Sequence, residues 1–273
     1  MNYSYIKCTS ALHCHRSKWL PFNWDLNIYR GCEHGCKYCY ALYSHEYLND
    51  SGFFDTVYIK ENVVEQLEKK LSSSSWKRET VNLGGVTDSY QPVEKINGLM
   101  PEVLKLLIKY RTPVVISTKS DLILRDFDLL DELSRVASAN VAFTITTTDE
   151  ELRQKLEPGA ASSSARFASL KAFQKNGAST GLHIMPIIPF LTDSENNLKN
   201  LYIGAKESGA DYLLPGLLNL KGKTRPYFYS FLQQNYPQTY SSLKKLHLTE
   251  GLHKSYKERI YEQIGLLRQK YGI

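Results

Sequence analysis

Short apolar runs alternate with longer amphipathic stretches along most of the chain, and the run at residues 113–118 is rich in β-branched residues. The runs that have the length and composition of strands lie at residues 26–29, 81–85, 113–118, 141–147, 180–188 and 211–218. Between them apolar side chains recur every three or four residues, as at Leu99, Val103 and Leu106, which is typical of a helix with one buried face. This alternation predicts βα units and a parallel sheet.

One or two predicted helices follow each predicted strand. They run from the first strand's loop to about residue 48, and over residues 60–71, 97–110, 127–136, 150–156, 165–176, 194–208, 226–234 and 251–271. Ser194 is a suitable N-cap for its helix, and residues 72–75 form a serine run typical of a linker. Six strand–helix units are fewer than the eight of a closed α/β barrel, so periodicity alone predicts a parallel α/β fold.

Composition indicates a globular protein of the cell interior. The chain has 273 residues, of which 42% are hydrophobic and 23% charged, which is enough for a sizeable core. It contains no run of 18 apolar residues, so we expect no transmembrane helix, and its first residues lack the apolar stretch of a signal peptide. Five cysteines, all within the first 39 residues, argue against a disulfide framework and predict a cytoplasmic location.

Positive charge is concentrated at the C-terminal end. Residues 1–218 carry 24 basic and 25 acidic side chains, whereas residues 219–273 carry 10 and 3, so the net charge of +6 arises in the last fifth. That segment also holds nine Tyr and Phe residues, a combination that suits nucleic acid through phosphate attraction and base stacking. The alternative is solvated helix faces with the aromatic rings packed inward. We expect a core domain of residues 1–218 and a basic helical extension of residues 219–273 packed on it.

Three cysteines in one short loop carry the chemistry. Cys32, Cys36 and Cys39 are spaced C-x3-C-x2-C, and three thiolates so placed can hold three irons of a cuboidal iron–sulfur cluster and leave the fourth iron open to a small molecule. A structural zinc site would need a fourth ligand, for which His34 and His45 are candidates, but no second cysteine pair follows. Ordinary buried thiols would not crowd three into eight residues. We therefore predict a [4Fe–4S] cluster.

The cysteine loop and its flanks resemble the radical SAM superfamily. The frame N-x-Y-R-G-C-x-H-x-C-x-Y-C-Y-A is similar to the subgroup related to spore photoproduct lyase, often labelled DNA repair photolyases. Further similar segments begin at Gly84 (GGVTDSYQP), Ser117 (STKS), Leu124 (LRD), Leu156 (LEPG) and Met185 (MPIIP). The resemblance covers roughly residues 18–237.

The resemblance implies a partial (β/α)6 TIM-like barrel with parallel strands. It also implies a [4Fe–4S] cluster and S-adenosylmethionine (SAM) as cofactors, and an external electron donor such as flavodoxin or ferredoxin. In such enzymes the reduced cluster splits a C–S bond of SAM, and the resulting 5′-deoxyadenosyl radical takes a hydrogen atom from an unactivated carbon. The protein supplies positioning, a dry pocket and tuning of the cluster.

The candidate SAM ligands lie at the ends of predicted strands, where ligands of parallel barrels bind. Glycines there let a ligand approach the backbone, although a tight turn explains them as well. The resemblance implies that the segment with Gly84, Gly85 and Thr87 contacts the SAM amino group, that Lys119 holds the SAM carboxylate, and that Tyr38 lies by the adenine. Arg166, near a helix start, is a further candidate for the carboxylate or ribose.

The substrate is left open by the sequence. Asp88 and Gln91 follow the second strand and are candidates to face it, with turn chemistry as the alternative. Spore photoproduct lyase places a hydrogen-donating cysteine just before the corresponding Thr–Ser–Asp run, whereas residues 84–88 contain none, so thymine-dimer repair is in doubt and Tyr90 is a substitute donor. The leading hypothesis is radical SAM chemistry on nucleic acid. The alternatives are a peptide, protein or small-molecule substrate, and a non-catalytic metal-binding protein.

Overall fold

The computed structural model describes residues 1–15, 20–45, 52–248 and 251–273. The strands within these ranges are β1 (Asn2–Ile6), β2 (Leu12–Cys14), β3 (Trp24–Leu26), β4 (Tyr29–Arg30), β5 (Thr56–Lys60), β6 (Val81–Leu83), β7 (Val114–Thr118), β8 (Ala139–Thr144), β9 (Ser179–Ile187), β10 (Tyr212–Leu217), β11 (His247–Leu248) and β12 (Gly251–Leu252).

Helices follow most of these strands. The α-helices are α1 (Val63–Leu71), α2 (Glu94–Asn97), α3 (Leu99–Lys109), α4 (Phe127–Val136), α5 (Glu150–Leu156), α6 (Ser163–Ala172), α7 (Glu195–Glu207), α8 (Thr224–Asn235), α9 (Pro237–Leu246) and α10 (Lys254–Tyr271). Short 3-10 helices span Tyr40–His45, Asp121–Asp126 and Phe173–Lys175.

A seven-stranded sheet with the order β10-β9-β8-β7-β6-β3-β2 forms the centre of the fold. Its six strands from β3 to β10 are parallel neighbours in chain order, and β2 adds an antiparallel strand at one edge. This is the predicted partial (β/α)6 barrel, and the expected fold class is confirmed. A separate three-stranded sheet with the order β1-β5-β4 lies beside it.

The two faces of the parallel sheet differ in polarity. Leu26, Leu83, Ile116 and Val141 stand in register on neighbouring strands and are almost completely buried. This apolar layer makes the core, because apolar surface stabilises the fold when it is removed from water between sheet and helices. Several side chains of the opposite face are polar and bond across strands; Asn82, for example, donates to Asp25 over 2.7 Å.

Several predicted boundaries needed correction. The first predicted strand is in fact two short strands, β3 and β4, which belong to different sheets. The predicted helix 60–71 begins only at Val63, because residues up to Lys60 form β5. β1, β2 and α9 were not predicted at all. The helix expected to reach residue 48 is a 3-10 helix over Tyr40–His45, and residues 46–48 lie outside the described ranges.

The C-terminal extension contacts the barrel through its last helix. Tyr256, Ile260 and Ile264 are buried on one face of α10. The Tyr256 hydroxyl donates to Asp193 over 2.8 Å, next to the start of α7. Within the described ranges, no helix combines the length and apolar character needed to cross a membrane.

Candidate functional site

The cysteine loop follows β4 and crowds three thiols beneath the surface. Cys32 and Cys36 are buried and Cys39 is half-buried, and all three are free thiols. Burial, the Asp88 carboxylate and the two neighbouring thiols raise the pKa of Cys32, in that order of effect. Burial raises the pKa of Cys36 to about 12, against the lowering effect of Lys119. A cationic metal group that replaces the thiol protons would remove this cost, so the donor set fits an iron–sulfur cluster.

His34 clamps the loop between two other segments of the chain. Its Nδ1 lies 3.0 Å from the carbonyl oxygen of Gly159 and its Nε2 lies 2.9 Å from the Asp88 carboxylate. Both partners are hydrogen-bond acceptors, so a ring nitrogen that carries a proton can donate to its partner. This arrangement uses both potential ligand atoms of His34, which removes one of the two candidates for a fourth zinc ligand.

Asp88 joins the cysteine loop to the end of β7. Besides His34, its carboxylate accepts hydrogen bonds from the Thr118 hydroxyl (2.8 Å), from the backbone N–H of Lys119 (2.8 Å) and from that of Tyr90 (2.9 Å). Burial alone would raise the pKa of Asp88, but His34 and the two backbone donors outweigh it and lower the pKa to about 2. These contacts with the protein favour a role for Asp88 in holding the turn and the cysteine loop in place over the predicted contact with substrate.

Gln91 and Thr87 also hold the loop in place. The Gln91 amide accepts from the backbone N–H of Glu33 and donates to the Gly31 carbonyl and the Thr87 hydroxyl, at 2.9, 3.2 and 2.9 Å. The Thr87 hydroxyl donates to the same Gly31 carbonyl over 2.6 Å. Gln91 is fully buried. Its contacts favour a supporting task over the predicted contact with substrate, and the Thr87 hydroxyl is likewise engaged by the protein.

A buried ion pair holds Tyr38 on the other side of the loop. The Tyr38 hydroxyl donates to Glu157, whose other carboxylate oxygen lies 2.6 Å from Arg166. The Arg166 guanidinium also donates to the carbonyls of Ala161 (2.9 Å) and Thr144 (2.6 Å). Arg166 and Glu157 are both completely buried. Because its three nitrogens are engaged in this way, Arg166 supports Tyr38 through Glu157. These contacts give no support to the prediction that Arg166 binds the SAM carboxylate or ribose.

Lys119 is a cation at the end of β7 without a carboxylate partner among the described ion pairs. Its ammonium lies 5.8 Å from the centre of the Tyr38 ring and acts electrostatically on Cys36 and Cys39. Burial lowers its pKa, but Cys36 and Glu157 outweigh this effect and the net shift is upward. A charged amine in this position can accept an anionic ligand. The predicted SAM carboxylate fits this chemistry.

Gly84 and Gly85 lie directly after β6. The φ of Gly84 is 84°, and a Cβ there would come within 2.8 Å of the Thr87 carbonyl oxygen, so the turn itself requires glycine. Gly85 presents its carbonyl oxygen to the Tyr40 hydroxyl. Gly84 and Gly85 thus form a tight turn at the strand end where the SAM amino group was predicted to bind. Forming the turn and binding this ligand are compatible.

Tyr90 lies next to a buried group of charged side chains. It is completely buried, and burial together with the neighbouring carboxylates of Asp126 and Glu94 raises its pKa, although Arg125 lowers it. These neighbours form a buried charged group in which Arg125 bonds to Glu94 and Asp126 at 2.7 and 2.8 Å. The geometry therefore gives no support to Tyr90 as the hydrogen donor.

The other cysteines lie outside the loop. Cys14 is exposed in β2, and the backbone N–H of Cys8 donates to the Asn62 side chain over 2.8 Å. Among the residues that the structure describes, no three His, Cys, Asp or Glu side chains converge as ligands of a single metal ion.

Some of the site residues were not predicted from the sequence. His34 was considered only as a zinc ligand, and Glu157 was quoted only as part of the LEPG segment. Thr224 was not considered, although its hydroxyl donates to the Cys39 carbonyl over 2.8 Å. The one available signal was the position of His34 and Glu157 inside motifs similar to those of a known family.

Comparison with known proteins identifies the class. The family model of the radical SAM superfamily matches residues 26–201, and the chain belongs to this superfamily. It therefore is an enzyme that uses a [4Fe–4S] cluster and SAM, and radical SAM enzymes in general receive their electron from an external reductant.

The relatives in sequence include two uncharacterized proteins. One, from Mycobacterium tuberculosis, is 36% identical over 273 residues, covering 98% of this chain and 80% of the relative. Another, from Methanocaldococcus jannaschii, is 34% identical over 215 residues, covering 79% of this chain and 77% of the relative.

Similar solved structures share the fold. Spore photoproduct lyase complexed with dinucleoside spore photoproduct matches with a TM-score of 0.71 and 14% identity, over 98% of this chain and 79% of that chain. A variant of that enzyme with bound AdoMet and the same dinucleoside matches with a TM-score of 0.69 and 14% identity, over 98% of this chain and 78% of that chain.

Proposed function

We propose that this protein modifies nucleic acid by radical SAM chemistry. The observation that carries the proposal is the position of the basic extension, residues 219–273, relative to the cysteine loop. Thr224, at the start of α8, donates to the carbonyl oxygen of Cys39 over 2.8 Å. The segment with 10 basic and 3 acidic residues therefore begins directly against the proposed cluster, where phosphates of a substrate would be attracted.

The proposed roles follow from the contacts. Cys32, Cys36 and Cys39 hold the cluster, which supplies the electron for reductive SAM cleavage when bound. Lys119 binds the SAM carboxylate, the turn at Gly84 and Gly85 with the backbone of Thr87 receives the amino group, and Tyr38 contacts the adenine. Arg166 keeps Tyr38 in place through Glu157. An acidic electron-transfer protein such as flavodoxin or ferredoxin would supply the electron.

Exposed aromatic side chains surround the cysteine loop. Tyr40 is 63% and Tyr43 49% exposed on the 3-10 helix that follows Cys39. The Lys37 ammonium lies 6.0 Å from the ring centre of Tyr227 in α8. Rings and cations so combined can stack on bases and attract phosphates, which supports a nucleic-acid substrate.

The structural neighbours support the same substrate class, since spore photoproduct lyase was solved with a dinucleoside photoproduct. The proposal does not extend to thymine-dimer repair. The segment from Gly84 to Asp88 contains no cysteine that could return a hydrogen atom.

The test measures 5′-deoxyadenosine release by the anaerobically reconstituted and reduced protein with SAM. We expect single-stranded DNA, duplex DNA or RNA to raise the release above the uncoupled background. Binding should weaken steeply with salt, with a log–log slope of roughly −0.7 to −0.9 for each phosphate that is neutralised. Replacing Lys244, Lys245, Lys254 and Lys257 with Gln should flatten that slope.

The matched control removes four charges elsewhere. The exposed residues Lys69, Lys77, Lys171 and Lys175 are replaced with Gln, and this variant should keep the wild-type salt slope. If the intact protein retains neither DNA nor RNA at low salt, the extension is only a helical cover of the barrel. A peptide, protein or small-molecule substrate then becomes the leading hypothesis.

A further inference from the structure

Two parts of the proposed site come from segments far apart in the chain. The thiols lie on the loop after β4, whereas the Lys119 ammonium lies at the end of β7. SAM that binds both the cluster and Lys119 requires a fixed separation between them. The inference that follows rests on the function proposed above.

We propose that His34 is a positioning residue that sets this separation, acting through Asp88 on Lys119. The His34 ring donates to Asp88 over 2.9 Å, and Asp88 accepts the backbone N–H of Lys119 over 2.8 Å. The Asp88 carboxylate thus connects the cysteine loop to the backbone of Lys119 through two hydrogen bonds, one to His34 and one to the Lys119 N–H.

This path has little freedom to move. His34 is 2% and Asp88 7% exposed, so neither side chain can rotate out into solvent. The Thr118 hydroxyl fixes the same carboxylate from β7 at 2.8 Å. Hydrogen bonds between buried charged and polar groups are stronger than those in water, because water does not compete for them.

The far side of the loop is held equally tightly. The other ring nitrogen of His34 lies 3.0 Å from the Gly159 carbonyl oxygen, and the backbone N–H of Gly159 donates to the His34 carbonyl over 3.0 Å. A Cβ at Gly159 would lie 2.1 Å from the Glu33 carbonyl oxygen, so the two backbones are in direct contact. The loop therefore cannot shift away from Asp88 to relieve a change in the clamp.

Lys119 lies between this clamp and Tyr38. Its backbone is bonded to Asp88, and its ammonium lies 5.8 Å from the Tyr38 ring, which Glu157 holds. A change at His34 should consequently alter the placement of Lys119 relative to the thiols without removing a ligand of either cofactor.

A double-mutant cycle separates positioning from general stability. SAM dissociation constants are measured for the reconstituted wild type, His34→Gln, Lys119→Ala and the double variant. We expect His34→Gln to weaken SAM binding roughly tenfold in the wild-type background, and less than about twofold when Lys119 is absent, since coupled residues are not additive. His253→Gln, on an exposed helix cap, should change nothing.

A spectroscopic readout accompanies the cycle. His34→Gln should retain its iron and its reduced-cluster electron paramagnetic resonance signal, while the change that SAM causes in that signal should diminish. Equal weakening of SAM binding in both backgrounds would overturn the proposal, as would a His34→Gln variant with wild-type SAM affinity.

A second variant covers the case in which His34→Gln does not fold. Thr118→Val preserves shape and does not change the cysteine loop. It removes the hydroxyl that donates to the Asp88 carboxylate, together with the hydrogen bond that this hydroxyl accepts from the Ser120 N–H. Like His34→Gln, it should weaken SAM binding only when Lys119 is present. Equal weakening by Thr118→Val in the wild-type and Lys119→Ala backgrounds would also overturn the proposal. A wild-type protein that binds no iron or cleaves no SAM would instead defeat the proposed function.

Discussion

Thr224 donates a hydrogen bond to the carbonyl oxygen of Cys39, which joins the first helix of the extension to the cysteine loop over 2.8 Å. The two residues are 185 positions apart, and Thr224 is 2% exposed. The extension is thus part of the wall around the proposed cluster, and residues of α8 influence the loop directly.

Thr224→Val should destabilise the protein by about 1–3 kcal/mol, because it leaves a buried carbonyl without its donor. The free energy of unfolding from urea titration measures this change. Thr239→Val, at a half-buried position in α9, is the control and should alter stability by less than about 0.5 kcal/mol. Equal effects of the two variants would contradict the assigned contact.

Replacing Cys32, Cys36 or Cys39 with Ala should abolish the cluster and SAM cleavage. The intact protein should bind about four irons per chain, because these thiolates each hold one iron of a four-iron cluster. Cys8→Ala and Cys14→Ala serve as controls and should leave both properties intact. Iron analysis of protein purified without oxygen measures the outcome, and stoichiometric zinc without iron would refute the assignment.

Lys119→Ala should weaken SAM binding by roughly 1.5–3 kcal/mol, since it removes a charge-assisted hydrogen bond to the carboxylate. Equilibrium binding of SAM to the reconstituted protein measures the effect. Lys155→Ala, on an exposed helix surface, is the control. An unchanged dissociation constant for Lys119→Ala would show that another group binds the carboxylate.

Arg166→Met should cost about 3–5 kcal/mol of stability, because it leaves the buried Glu157 carboxylate without its cation. Arg135→Met is the matched control: Arg135 is exposed and pairs with Asp131 on the helix surface, so its loss should cost less than about 0.5 kcal/mol. Denaturant unfolding compares the two. Normal stability of Arg166→Met with reduced SAM affinity would restore Arg166 as a direct ligand.

His183 should make the protein less stable as the pH falls from about 6.5 to 4. Burial, and to a smaller extent Lys119, lowers its pKa to about 4. The unfolded chain takes up the proton near pH 6.5 and the folded chain does not, so the contribution of neutral His183 is complete above pH 6.5. The contribution of neutral His183 to the free energy of unfolding is about 3 kcal/mol smaller at pH 4 than above pH 6.5.

The surroundings of His183 explain this preference. Its ring nitrogens contact the Ser117 hydroxyl at 3.1 Å and the Tyr212 hydroxyl at 3.3 Å, and the facing charge is the Lys119 ammonium. Unfolding titrations between pH 4 and 7.5 should show a smaller pH dependence for His183→Gln than for wild type. Exposed His13→Gln should follow the wild type, and parallel curves for all three proteins would exclude His183 as the cause.

The order of strands and helices was readable from the sequence because its signals are local. Five strands of the parallel sheet, β6 to β10, coincide largely with a predicted apolar run, whereas β3 shares only Leu26 with its run. Strands that are neighbours in the chain are also neighbours in the parallel sheet. β1 escaped prediction because its partner β5 lies some fifty residues later, and its own alternation of exposed and half-buried residues is weak. Helix α9 has only one fully buried side chain, Leu243, and so lacks a clear apolar stripe.

The sequence by itself also determined the chemistry of the cysteine loop, since three thiols within eight residues stay together in any fold. Only the tertiary structure decided which polar side chains near the strand ends bond to the protein. The partners of Asp88 and Tyr38 lie 54 and 119 residues away, at His34 and Glu157. Sequence spacing contains no information about such distances, because packing of the barrel sets them. Asp88 and Gln91 consequently looked like substrate residues, whereas their buried hydrogen bonds tie the cysteine loop to the barrel.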